Sequence, residues 1–345
     1  MRLMSVPENI AEAAALVAGA VPTPLMDTLV GLLLAKTIMA ATAVGVFDAL
    51  DDGPLEARAV AARCGSDPKA TEKLMRALYA CRYLELHSDR FGLAPVARRW
   101  LTRRSRQPLA AAVLHRTVDQ RFMTFEDFVR SGKSRRFHEH LTPEEWTIYH
   151  AGQASHAELV IREVVESMPI SNGAANVLDV GGGNGRYAIA LCERYPSLRA
   201  RVLDLSSTAG REAIRSLPES IRTRIDFETR DLRETELCGT YDLVLMANVV
   251  HHFDEATNRG LLRAAARALR TGGCVVVLDA VRPVSVKDTS QIDGLLDLYF
   301  AAVSGTGLWT VDDIRGWMTA AGLSLARTRT LTMMPFYKMQ RGTRE

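Results

Sequence analysis

The sequence predicts an α/β protein in which a parallel sheet follows a helical N-terminal module. Three observations lead there. From Val177 onward, short apolar runs alternate with helical patterns, the rhythm of parallel strands covered on both faces. A glycine cluster, Gly181-Gly182-Gly183-Asn184-Gly185, leaves the first of these runs and enters a helix, the place where such sheets hold a ligand. Residues 1–105 carry Ala- and Leu-rich helical patterns instead.

The first elements are helices. Ala-rich segments run from Ile10 to Ala20 and from Met26 to Leu50. In the second, Leu29, Leu32, Leu33, Ile38 and Val44 recur at mixed three- and four-residue steps with few charges on any face, so this helix needs cover. Its apolar run from Leu29 to Ala41, interrupted by Lys36, is too short to cross a bilayer and reads as a buried helix. In a small N-terminal segment the expected cover is another subunit, which implies a homodimer.

Leu55 to Cys64 forms a short helix closed by Gly65, and Ser66-Asp67-Pro68 opens the next, an oxygen-bearing cap ahead of a proline. That helix, Lys69 to Cys81, places Leu74, Leu78 and Cys81 on one face. Tyr83 to Leu86 and Phe91 to Leu93 then flank a turn at Ser88-Asp89-Arg90. Helix, helix and hairpin make a winged-helix outline. The second helix carries Lys69, Lys73 and Arg76 but also Glu72, and the chain's net charge is only +3, so a dimerisation module is expected here and no nucleic-acid partner. Leu109 to Arg130 and Glu144 to Met168 read as helices joined by a polar stretch from Ser131 to Leu141.

The strands of the second half are expected at Val177 to Val180, Arg201 to Leu203, Ile225 to Phe227, Asp242 to Met246 and Val275 to Leu278. Between them lie a helix from Tyr187 to Tyr195 and one from Asp254 to Leu269, ended by Gly272-Gly273. Thr310 starts a further helix, with Asp313 at the capping-box position and Gly322 closing it. Leu331 to Tyr337 is expected as an edge strand. The division into domains is then 1–105, a helical linker 106–170 that lines the substrate pocket, and a ligand-binding domain 171–345.

Composition bounds the chemistry. Hydrophobic residues make up 47% and charged residues 24%, the balance of a water-soluble globular chain with no call for a membrane partner. The five cysteines are scattered, with no CxxC pair, so neither a zinc site nor a disulfide framework is indicated, and no metal-ligand cluster is visible. No signal-peptide pattern is read at the start, and a reducing cytoplasm is the expected compartment.

The glycine cluster carries the functional argument. Glycines let the backbone approach a ligand closely, and the amides at the start of the following helix can face an anionic group. Asp204 stands at the end of the second strand, where a carboxylate accepts both hydroxyls of a ribose. An adenosine-bearing cofactor is therefore expected. Gly183 to Ala188 also satisfies the loose dinucleotide pattern, but Asp179, just before Gly181 and Gly183, would repel a pyrophosphate and suits an ammonium group. Asp231 after the third strand is placed for an adenine amino group, with Leu232 against the ring. These acids select S-adenosylmethionine.

The run Val177-Leu178-Asp179-Val180-Gly181-Gly182-Gly183-Asn184-Gly185, with Asp204-Leu205 and Arg230-Asp231-Leu232, resembles the cofactor motifs of bacterial small-molecule O-methyltransferases. That family joins a winged-helix dimerisation domain to a class I methyltransferase domain with a Rossmann-like sheet, and the resemblance covers nearly the whole chain. It implies an S-adenosylmethionine-dependent enzyme acting on an oxygen of a small aromatic or polyketide-like acceptor, with methylation of carbon or nitrogen, or a non-methylating relative that retains the cofactor, as the alternatives. The family's His-Asp-Trp segment corresponds to His251-His252-Phe253, which implies His251 as general base, with Asp279 orienting it. A second acid that the family often carries is missing from Gly307-Leu308-Trp309-Thr310. Tyr149, Gln153, His252, Phe300 and Trp309 are the acceptor contacts the resemblance implies.

Overall fold

The computed structural model describes residues 3–170, 173–206, 208–233 and 236–345. The chain separates into two compact units, Met1–Val118 and Asp119–Glu345, so residues 119–170, expected as part of a linker, belong to the second. The expected boundary at 170/171 abuts residues 171–172, which lie outside the described residues.

In the first unit, helical turns follow one another from Thr23 to Val44, with one wide π-turn at Met26–Val30. The helix stops at Gly45, whose φ of 90° is left-handed, so the expected run to Leu50 is broken before a short helix, Val46–Ala49. The 22 residues from Thr23 to Val44 are long and apolar enough to cross a membrane, longer than the run read from sequence. The expectation of burial is not met within one chain. Leu29, Leu32 and Leu33 are 50–58% exposed, because the unit's own core is made instead by Phe47, Leu50, Met75, Leu78 and Leu84.

Asp67 caps the helix Pro68–Ala80 by accepting the Ala70 amide, and Gly65 ends the preceding helix, Ala57–Cys64, in the left-handed conformation. Thr71, Met75 and Leu78 are the buried residues of the longer helix, and Cys81 is exposed, one position beyond its end. The antiparallel hairpin follows as β1 (Leu84–His87) and β2 (Arg90–Leu93), with Leu84 opposite Leu93.

The second unit is built on one mixed sheet. Its strands are β3 (Asn176–Val180), β4 (Arg199–Asp204), β5 (Ile225–Thr229), β6 (Tyr241–Ala247), β7 (Leu269–Ala280), β8 (Leu323–Leu325), β9 (Arg329–Thr330) and β10 (Tyr337–Arg344). The order is β5-β4-β3-β6-β7-β10-β8, with β9 also pairing β10. The first five positions are parallel, as the apolar runs predicted, and β10 pairs antiparallel on both sides.

Alternation along β3 divides its side chains between two cores. Val177 joins Leu191, Leu243 and Met339 on one face, and Leu178 and Val180 join Met246, Leu262 and Trp317 on the other. Each such aliphatic side chain contributes about 1.5–3 kcal/mol by leaving water. Helices Ile161–Glu166 and Arg186–Arg194 cover the first face, and Glu255–Ala268 and Val311–Ala320 the second.

Two expectations are corrected here, and one helix is added. The last strand is not at the edge and not at Leu331 to Tyr337. Residues 337–344 lie between β7 and β8, and their charged side chains hid an interior strand from a reading based on apolar runs. The helix Glu255–Ala268 ends before the glycine pair, which falls inside β7. There the pairing with β6 slips between Tyr241 and Leu243, and a Cβ on Gly273 would meet the Arg270 carbonyl oxygen at 2.9 Å. Finally, a helix not expected from the sequence, Gln291–Val303, starts at a capping box formed by Ser290 and Asp293.

Candidate active site

At the carboxyl end of β3 the chain turns tightly. Gly181 and Gly183 have φ of 69° and 57°, conformations that a side chain would strain, and the Gly181 amide donates to the Leu203 carbonyl at 2.7 Å. Gly182 is required for a different reason. A Cβ there would lie 2.6 Å from the Asp179 carboxyl carbon and 2.7 Å from Val202 Cγ1. Asp204, at the end of β4, accepts the Gly183 amide at 2.9 Å and so holds the loop as well as facing the cavity. Burial pushes its pKa up, with His150 and neighbouring amides opposing.

Asp179 is fully buried beneath Gly182, and neither carboxylate oxygen has a well-formed hydrogen bond. Burial, reinforced by Asp204, pushes it up to about 7, the Ala188 amide pulling the other way.

The glycine loop and Asp204 border a cavity of about 720 Å³, with Asp179 behind that wall. Its walls include Gly181, Gly183, Asp204, Leu205, Asp231 and Leu232, and also Tyr149, Gln153 and His252. Asp231 is held by Arg233, whose guanidinium lies 2.7 Å from Oδ2 and depresses its pKa. The cavity fits an adenosine-bearing sulfonium cofactor on three counts. The loop has no room for side chains, a ribose-facing carboxylate stands beside it, and the buried Asp179 under the loop favours a nearby cation.

The second half of the site follows β6. Asn248 is left-handed, with φ 59°, and the turn Val250–His252 comes next. Asp279, at the end of β7, is completely buried and fully used. Its Oδ1 accepts from His251 Nδ1 at 2.7 Å and from the Ala280 amide at 2.8 Å, and its Oδ2 accepts from the Val250 amide at 3.0 Å. With Nδ1–H directed at a carboxylate, Nε2 of His251 is left as the basic nitrogen.

The turn is braced from three sides. Asn258 Nδ2 donates to the Val250 and Phe253 carbonyls, the Trp309 indole N–H reaches the same pair, and the Thr306 hydroxyl donates to the His251 and Phe253 carbonyls.

Not every expected acceptor contact reaches the wall. Tyr149, Gln153 and His252 do, whereas Trp309 serves the turn and Phe300 packs its ring 4.0 Å from that of His251. His251 itself is 3% exposed and lies behind His252, their ring centroids 4.0 Å apart. Burial and the neighbouring His251 and His138 hold His252 well below the usual imidazole range, so it is neutral at pH 7.

Among the wall residues that the sequence does not single out are His138 and Trp146. The His138 ring lies 4.7 Å from that of His252 and 5.5 Å from that of Trp146, with Tyr149 edge-on at 5.1 Å. Their signal was present only as an aromatic cluster within the polar stretch and the helix after it, Pro143–Glu158.

Comparison with known proteins agrees with this architecture. Residues 107–324 match the O-methyltransferase domain family, and residues 26–103 match the O-methyltransferase dimerisation domain. The 3-hydroxy-5-methyl-1-naphthoate 3-O-methyltransferase of Streptomyces sahachiroi is 28% identical over 89% of this chain and 91% of its own. Aclacinomycin 10-hydroxylase of Streptomyces purpurascens is 27% identical over 90% of this chain and 87% of its own. Among solved structures, human N-acetylserotonin methyltransferase in complex with S-adenosylmethionine superposes with a TM-score of 0.81, covering 99% of each chain at 19% identity, a likeness of fold. Since the first of the two family matches spans well over half of the sequence, the chain belongs to the S-adenosylmethionine-dependent O-methyltransferase family.

Proposed function

We propose that this enzyme methylates a hydroxyl oxygen of a small aromatic or polyketide-like metabolite, with His251 as general base and Asp279 as the group that positions it. The observation that carries this reading is the buried 2.7 Å contact between His251 Nδ1 and Asp279 Oδ1. Relatives that cover most of the chain act, by name, on such metabolites, which supports the acceptor class.

Gly181, Gly183, Asp204 and Leu205 would hold the cofactor's ribose and methionine portions, Asp231 and Leu232 its adenine, and Asp179 would favour its cationic end. S-adenosylmethionine, once bound, supplies a methyl group already activated on a sulfonium. The protein's task is therefore alignment and proton removal. A phenolic hydroxyl titrates near 10, so a base that takes its proton as the oxygen attacks the methyl lowers the barrier. His251 accepts that proton at Nε2, and Asp279 stabilises the resulting imidazolium while holding the ring. Contacts of this kind often tighten only once substrate is bound, which allows for the recessed position of His251.

One observation favours a second reading. His252, not His251, is on the wall. The first reading prevails because burial depresses the basicity of His252 and no carboxylate is hydrogen-bonded to it among the described residues. The exposed apolar helix of the first unit and the dimerisation-domain match support a homodimer. Incubation with methyl-labelled S-adenosylmethionine and a phenol panel, with the product read by NMR, tests the reaction. Label on oxygen supports it, and label on carbon or nitrogen alone overturns it.

A further inference from the structure

Polar atoms that are buried without partners are costly, and native proteins keep few of them. Three belong to residues that line the cavity around the catalytic turn. Asn248 Oδ1, His252 Nδ1 and Ser304 Oγ are each buried and have no hydrogen-bond partner. They come from different elements. Asn248 follows β6, His252 belongs to the turn, and Ser304 caps the end of the helix Gln291–Val303. The backbone beside Ser304 packs against that of His252, since a Cβ on Gly305 would meet the His252 carbonyl oxygen at 3.1 Å. The backbone supports a deliberate placement of Asn248. Its φ of 59° is rare for a side-chain-bearing residue, and its amide donates to the Leu278 carbonyl at 2.9 Å, one residue before Asp279.

We infer that Asn248, His252 and Ser304 form a polar subsite for a second, uncharged oxygen of the acceptor, adjacent on the ring to the hydroxyl that is methylated. This rests on the reading of the cavity as a site of O-methylation and goes beyond it by naming the acceptor's substitution pattern. The amide oxygen of Asn248 only accepts, the Ser304 hydroxyl does both, and a neutral imidazole does one at each nitrogen. Together they can satisfy a hydroxyl or a carbonyl. A carboxylate would find no cation among the three. With the His251 ring 4.0 Å from that of His252, an oxygen bound here sets which neighbouring hydroxyl meets the base. The subsite would thus determine regiochemistry.

The probes are 2,3-dihydroxynaphthalene, which carries two adjacent oxygens, and 2-naphthol, which lacks the second. Calorimetry on the enzyme with S-adenosylhomocysteine should show the diol binding roughly tenfold or more tighter, the scale of a buried polar group gaining its partner. Ser304→Ala and Asn248→Gly, the latter keeping the left-handed backbone, should each collapse that preference to about twofold or less. Binding of S-adenosylhomocysteine reports that each variant is folded. Equal affinity for the two probes, absence of binding by both, or variants that keep the preference would overturn the subsite. Failure of the underlying reading looks different. In that case the diol preference persists but labelled methyl never reaches oxygen. Transfer to 2-naphthol oxygen with no diol preference leaves O-methylation standing and removes the subsite.

Discussion

Two buried aspartates of the sheet are treated oppositely by their neighbours. Asp279 receives three hydrogen bonds, one of them from His251, whereas Asp179 receives almost nothing. For the first, His251→Ala should lower turnover by roughly 10² to 10⁴ with cofactor affinity little changed. Asp279→Asn should lower it less, because the geometry survives without the charge. Steady-state kinetics on both, beside His252→Ala, decide the base, and a larger loss for His252→Ala would reassign it. For the second, the folded pKa of about 7 against an ordinary 3.8 means that the ligand-free protein binds one more proton than the unfolded chain between those values. Its stability should therefore decline as pH rises from about 4 to about 7 and then level off. A cation at the loop reverses the preference, so cofactor binding should release a proton and weaken below pH 7, by up to about tenfold per unit. Calorimetry in buffers of different ionisation enthalpy reads this directly. If Asp179→Asn shows the same proton release as the wild type, the assignment to Asp179 is wrong and Asp204, also raised, is the source.

At the scale of elements, the glycine loop is the piece whose shape is set by exclusion. Gly182→Ala places a methyl against Asp179 and Val202, neither of which can withdraw within the core, and should cost about 1–3 kcal/mol of stability along with most cofactor binding. Thermal unfolding with and without S-adenosylhomocysteine measures both. The loop and its strand were legible because apolar runs and glycines are local signals. So were the helix starts at Asp67-Pro68 and Thr310, where cap and capping box lie within four residues. The place of β10 was not legible, because Gln340, Arg341 and Arg344 hide a strand whose burial depends on β7 and β8 coming to either side. Ser290-x-x-Asp293 is a readable local signal for the helix Gln291–Val303. In the site, the contact between His251 and Asp279 was anticipated from the family resemblance, but the order of the two histidines along the wall was not. It depends on a left-handed Asn248 that no spacing rule announces.

At the scale of the molecule, the apolar helical stretch Thr23–Val44 is the surface on which the proposed homodimer rests. Leu25, Leu29, Leu32 and Leu33 are each at least half exposed, and the dimerisation-domain match begins at residue 26. A second copy covering this stretch implies an interface of the obligate class, above about 2,000 Å². Light scattering at micromolar concentration without detergent should give twice the chain mass. Leu29→Asp with Leu32→Asp should lower that mass or leave the protein insoluble, and a monodisperse wild-type monomer would contradict the proposal. Membrane flotation that carries the wild-type protein to the lipid layer would contradict it in another way, since the stretch also meets the length of a bilayer span.

The Trp309 indole, donating to the Val250 and Phe253 carbonyls on either side of the two histidines, makes the molecule its own optical instrument. Indole emission depends on the bond its N–H makes, and a second indole, Trp317, stands edge-on with ring centroids 4.9 Å apart. Any rearrangement of the turn that lets an acceptor reach His251 must lengthen or rotate those bonds. Stopped-flow fluorescence should therefore time that rearrangement without a dye, with Trp146→Phe removing the competing signal from the cavity wall.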